Sequence, residues 1–99
     1  MKEIFDKRCY NWTSDFEWNS LFLRSAEICL NDKLALRGYV TIFEVYEYLG
    51  LTLDLERLKD VKNLSDLWWT YDGNNKINFG IEPSENGDAI YLNFNINID

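Results

Sequence analysis

The stretch Lys76-Ile77-Asn78-Phe79-Gly80-Ile81-Glu82 and, after a turn, Ala89-Ile90-Tyr91-Leu92-Asn93-Phe94-Asn95-Ile96-Asn97-Ile98 decides the fold class. Apolar residues alternate with polar ones in both segments, which is the period of a half-buried strand. Ile77, Phe79 and Ile81 share one face of the first. Ile90, Leu92, Phe94, Ile96 and Ile98 share one face of the second, with Tyr91, Asn93, Asn95 and Asn97 opposite. Pro83 to Asp88, with Asn86-Gly87 inside it, separates them as a turn. Upstream, the aromatic run Leu67 to Tyr71 leads into Asp72-Gly73-Asn74-Asn75, a second turn signal. The expectation is a three-stranded antiparallel meander with one face on a core.

The period changes N-terminal to this region. Ser14-Asp15-Phe16-Glu17 reads as a capping box opening a helix. Trp18, Leu21, Phe22, Ser25, Ile28 and Cys29 follow at 3–4 spacing as the expected inner face, closed by Ala26 and Leu30. Gly38 is the expected terminator, with Arg37 in the last turn. A second start lies at Thr41-Ile42-Phe43-Glu44. Ile42, Val45, Tyr46 and Leu49 keep helical spacing up to Gly50. Residues 51–66 are expected as a short helix or turn with Leu55, Leu58 and Val61 inward. Residues 1–13 resist assignment, although Ile4, Phe5, Tyr10 and Trp12 suggest docking. The reading is one α+β domain over residues 1–99, with two or three N-terminal helices packed on the C-terminal meander.

Charge excludes several functions. Lys+Arg is 10 against 17 Asp+Glu, a net charge of −7. Phosphate backbones repel such a chain, and the cations form no basic stripe, so direct nucleic-acid binding is not expected. Anionic membranes are disfavoured for the same reason. No apolar run approaches a membrane span. No secretory signal is visible, so the expected location is the cytoplasm of a bacterial host with reduced thiols.

Site chemistry is sparse. There is no histidine and there are two cysteines, Cys9 and Cys29. That removes the usual zinc sets and the Ser-His and Cys-His pairs. Cys29 reads as a small core residue, and a bridge to Cys9 stays open. Asp72 to Lys76 lacks the oxygen ligand and glycine of a calcium loop. The carboxylate pairs Glu44/Glu47 and Asp54/Glu56 show no sign of the burial that acid–base catalysis needs. No cofactor, metal or catalytic residue is expected, and the protein reads as non-enzymatic.

What remains is a binding surface. Adjacent Trp68 and Trp69 must point to opposite faces of a strand. Trp69, Tyr71 and Tyr91 are candidate aromatic anchors of the kind enriched at interfaces. Glu44, Glu47, Asp54, Glu56, Asp72, Glu82, Glu85 and Asp88 are candidate contributors to a negative field facing a basic partner. The last strand, if an edge, offers its backbone to a second chain.

The run Gly38-Tyr39-Val40-Thr41-Ile42-Phe43-Glu44-Val45-Tyr46-Glu47-Tyr48-Leu49-Gly50 resembles a segment of small bacteriophage and mobile-element proteins of unknown function, G-[YF]-V-T-x-x-[DE]-[VL]-Y-x-x-[LIV]-G. The resemblance extends over the last two-thirds through Trp68-Trp69 and Phe79-Gly80-Ile81. It implies a phage or integrative element as origin and carries no catalytic residue. Joined to the charge, it leads to the expectation of an acidic anti-defence inhibitor, anti-CRISPR-like. Such a protein mimics nucleic acid and occupies the basic channel of a host nuclease. The alternative is a phage structural or assembly accessory that self-associates, for instance as a homodimer, through its C-terminal strand.

Overall fold

The structure, a computed structural model, describes residues 1–96. Strand β1 spans Lys2–Asp6 and helix α1 spans Phe16–Arg37. Strand β2 (Tyr39–Thr41) leads directly into helix α2 (Ile42–Leu49). Two short 3₁₀ turns, Leu55–Leu58 and Leu64–Leu67, precede strand β3 (Trp68–Thr70). Strands β4 (Glu82–Pro83) and β5 (Ala89–Asn93) follow. The class is α+β with two helices and antiparallel sheets, as expected.

The helix boundaries follow from local chemistry. Asp15, not Ser14, caps α1, and its carboxylate accepts from the Trp18 amide at 3.1 Å. Trp18 then occupies the third helical position, so Glu17 closes no capping box. Gly38 ends α1 at φ 93°, where its amide reaches the Leu34 carbonyl at 2.8 Å. A side chain there would be strained. Thr41 and Glu44 form the expected capping box of α2.

The expected inner face of α1 is corrected. The buried residues are Asn19, Leu23, Ala26, Leu30 and Leu34. Trp18 and Leu21 are each 54% exposed, Ile28 63% and Leu36 90%. Cys29 is exposed as well, and both cysteines are free thiols. The helix is apolar on two sides, so periodicity alone could not choose between them. Leu55 is also exposed rather than inward, while Leu58 and Val61 are half-buried.

The meander is corrected too. The main sheet has the order β1-β5-β4, with Lys2 opposite Asn93 and Asp6 opposite Ala89. Its first strand is the unassigned N-terminus. β3 instead pairs with β2 as a separate ribbon, Val40 opposite Trp69. The segment 77–81 alternates as expected, with Ile77 and Phe79 buried, but joins no ladder until Glu82. Its amides are claimed by side chains. Asn31 accepts from the Ile77 amide at 2.8 Å, and Glu27 from the Phe79 amide at 2.8 Å. Asn95 accepts from the Asn78 amide at 2.8 Å. These bonds satisfy the amides of the segment, while the Phe79 and Asn78 carbonyls accept from the Asn93 and Asn95 amides.

The core lies between α1, α2 and the inner face of the main sheet. Ile90, Leu92, Phe94 and Ile96 all enter it, and Ile98 and Asn97 lie outside the described residues. Phe5 sits at its centre, edge-on to Trp12 at 5.4 Å and stacked with Phe22 at 6.0 Å. Each such fully buried side chain contributes about 1.5–3 kcal/mol. Tyr46 of α2 donates its hydroxyl to Glu3 at 2.9 Å, and Arg57 reaches the same carboxylate at 3.0 Å. Burial, then the Glu3 carboxylate, pushes the Tyr46 phenol up, so it stays a donor. No helix among the described residues is long and apolar enough to cross a membrane.

Candidate interaction site

The eight acidic candidates divide into those already engaged and those left free. Glu44 is engaged. Its carboxylate accepts from the Thr41 amide at 2.8 Å and pairs with Arg37 and with Lys33, the latter at 3.0 Å. The Arg37 hydrogen bond holds its pKa down at about 2 against the opposing effect of partial burial, and Thr41 and Lys33 reinforce Arg37. Glu44 is therefore a structural carboxylate and not part of an open negative field. Asp54 caps the first 3₁₀ turn, accepting from the Glu56 amide at 3.0 Å. Glu56 itself lies 3.9 Å from Lys59 in full solvent, a pair of little energetic weight. Asp72 accepts from the amides of Asn74 and Asn75, each at 2.8 Å. The Asn75 and Asn74 amides hold its carboxyl below the usual range. Glu47 is exposed on α2.

The other three acids fall on one hairpin. β4, the turn and β5 carry Glu82, Glu85 and Asp88, and no cation occurs from residue 77 onward. Among the described residues none of the three is in an ion pair, although Asp88 accepts from the Ser84 hydroxyl at 2.8 Å. Glu82 is the cross-strand neighbour of Tyr91, which in turn lies opposite Ile4. Tyr91 is 47% exposed. These residues stand on the outer face of the sheet, away from Ile90 and Leu92. Lys2, Ile4, Gly80, Glu82, Tyr91 and Asn93 line an open groove of about 620 Å³ there. Gly80 keeps the groove floor close: a Cβ at this residue would lie 2.6 Å from the Asn93 carbonyl oxygen, at φ 58°.

The aromatic candidates separate. Trp69 is corrected from anchor to core, at 4% exposure, with its indole Nε1 donating to Asn95 Oδ1 at 2.9 Å. Its neighbour Trp68 is the outward indole, stacked on Tyr39 at 5.3 Å, with the Arg37 guanidinium 4.0 Å from the Tyr39 ring centre. This Arg37-Tyr39-Trp68 stack went unread in the sequence, because the pairing of β2 with β3 creates it. Tyr71 is exposed at the end of the same ribbon, its amide donating to the Gly38 carbonyl. Tyr91 belongs to the other sheet, so a continuous Trp69-Tyr71-Tyr91 patch does not form.

β5 is the central strand of its sheet, flanked by β1 and β4. Beyond β5, the Phe94 amide donates to Met1 and the Asn95 amide to Asn78. The expected free edge for self-association is therefore occupied over the described residues. The outer edges are blunted as well. Arg57 covers the Lys2 carbonyl on β1, and Pro83 sits on β4. Among the described residues no three His, Cys, Asp or Glu side chains converge as a metal site.

What the arrangement offers chemically is an exposed tyrosine, Tyr91, beside Glu82 on a shallow groove that Lys2 also lines, with Glu85 and Asp88 in the adjoining turn. No curated protein and no solved structure matches the chain. A family model described as a family of unknown function (DUF6353) matches residues 2–99, and the chain belongs to that family.

Proposed function

We propose that the protein is a non-enzymatic interaction protein whose outer sheet face binds a basic surface on a partner protein. The observation that carries this reading is the coincidence of Tyr91, Glu82 and the groove on a β4–β5 hairpin whose turn adds Glu85 and Asp88 and which holds no cation. Tyr91 is the apolar anchor. Glu82 at the groove, with Glu85 and Asp88 in the adjoining turn, supplies the charge that steers the encounter and disfavours acidic partners. Glu47 extends the negative field elsewhere on the molecule, and Glu44 does not contribute. A nucleic-acid-binding protein of a bacterial host, such as a nuclease with a basic channel, is the partner class that this charge fits. An anti-defence inhibitor of phage or mobile-element origin is the role that follows from it.

The test is capture of host proteins on the tagged chain, washed at low and at high salt, with the retained proteins identified by mass spectrometry. The expected result is a basic nuclease held at low salt and shed at high salt, since rim charges are screened beyond roughly 8 Å at physiological ionic strength. Tyr91→Ala should weaken the complex by about tenfold or more. Glu82→Gln with Glu85→Gln should slow association and flatten the salt dependence. A partner held equally at high salt, or indifferent to all three substitutions, would sink the reading.

A further inference from the structure

α1 carries two apolar faces, and the described residues bury one of them. The inward residues are Asn19, Leu23, Ala26, Leu30 and Leu34. On the opposite side, Trp18, Leu21, Ser25, Ile28, Asp32 and Ala35 recur with the alternating 3–4 spacing of a coiled-coil seam, and all six are exposed. Leu36 and Cys29 widen the stripe. A helix apolar on both sides is a helix with two packing partners.

We propose that this face pairs with the same face of a second copy, helix against antiparallel helix. Three observations select that occupant. First, α1 is electrically balanced: Glu17, Glu27 and Asp32 against Arg24, Lys33 and Arg37. The whole −7 of the chain lies elsewhere, so α1 is where two acidic molecules can approach. Second, the seam is asymmetric along its length. Trp18 and Leu21 are bulky at one end, and Asp32 and Ala35 are small or polar at the other. An antiparallel pair sets Trp18 against Ala35 of the second copy, Leu21 against its Asp32 and Ser25 against its Ile28. A parallel pair would stack Trp18 on Trp18 and Asp32 on Asp32, like charges in a desolvated layer.

Third, the antiparallel register supplies a partner for Asp32. Arg24 stands three residues, about 4.5 Å, along the axis from the level of Asp32 in the second copy. A helical side chain leans toward its own N-terminus, which here points Arg24 at that carboxylate. Two-fold symmetry makes the pair twice. At 22 residues α1 spans about 33 Å, enough for three such layers on each side of the axis.

The test is the concentration dependence of mass by sedimentation equilibrium, with circular dichroism confirming the fold of each variant. A reversible dimer is expected. Ile28→Glu should leave a monomer at every concentration, and its exposed position keeps the fold intact. Arg24→Asp alone should raise the dimer dissociation constant tenfold or more. Arg24→Asp with Asp32→Arg should restore most of that loss, which a merely structural role for either residue would not do. A wild-type chain that stays monomeric up to millimolar concentration overturns the proposal. A dimer indifferent to Ile28→Glu, or a charge swap that fails to rescue, overturns it equally.

Discussion

Asn31 and Glu27 act where a strand was expected. Asn31 donates Nδ2 to the Ile77 carbonyl at 3.0 Å and accepts from the Ile77 amide at 2.8 Å. One side chain thus substitutes for a ladder neighbour and ties α1 to the 77–81 segment. Asn31→Ala leaves both backbone groups without partners. We expect a loss of about 2–3 kcal/mol, because an unsatisfied buried group costs its full desolvation. Glu27→Gln keeps an acceptor for the Phe79 amide and should cost under about 1 kcal/mol. Urea unfolding of the two variants checks both, and an Asn31→Ala loss no larger than that of Glu27→Gln would count against this account. Side-chain claims on backbone amides are not periodic, which is why the alternation of 77–81 reads as an ordinary strand. The opposition of Trp68 and Trp69 was legible from their adjacency. Which indole turns inward depends on Val40 and Asn95, both distant in sequence.

At the scale of elements, the caps and buried face of α2 and the C-cap of α1 were readable, while the N-cap and inner face of α1 were not. Thr41, Glu44, Gly38 and Gly50 act locally, and the structure keeps each role. The working face of α1 depends on what lies opposite, and the apolar stripe through Trp18 and Ile28 is as regular as the buried one. α2 gives a direct test of its cap. Arg37, above all, holds Glu44 at about 2 in the folded protein, against 4.5 for an unperturbed glutamate. A depressed carboxyl stabilises the fold above its unfolded pKa and loses that contribution as pH falls. The stability difference between wild type and Glu44→Gln should therefore be constant above about pH 5.5 and shrink toward zero between 4.5 and 2. The plateau should be on the order of 1–2 kcal/mol, since the cluster with Lys33 and Arg37 is open to screening. Gln preserves the capping box geometry, so the charge is what changes. A difference that grows on acidification would refute the assignment.

At the scale of the whole fold, the first strand pairs with the last. β1 and β5 pair across almost the full chain, Lys2 with Asn93 and Phe5 with Ile90. Nothing in residues 1–13 announces that partnership, because the pattern of a strand does not encode its neighbour. The same closure moves β5 from an edge to the centre and shifts the candidate site from the strand backbone to the sheet's outer face. Of that site, the carboxylates and Tyr91 were legible as types. Their grouping on one hairpin followed from the turn at Pro83 to Asp88, whereas the withdrawal of Glu44 and Trp69 required the tertiary contacts. Phe5 is where this closure can be measured. It is fully buried, touches Trp12 and Phe22, and joins β1 to α1. Phe5→Ala should cost about 3–5 kcal/mol, a large share of the roughly 5–15 kcal/mol available to a domain. If the ends close a single cooperative unit, the urea midpoint falls with an unchanged slope, and tryptophan fluorescence and far-ultraviolet dichroism lose structure together. An early separate transition, leaving the helical signal at its original midpoint, would mean that β1 is a strap on a core that folds without it.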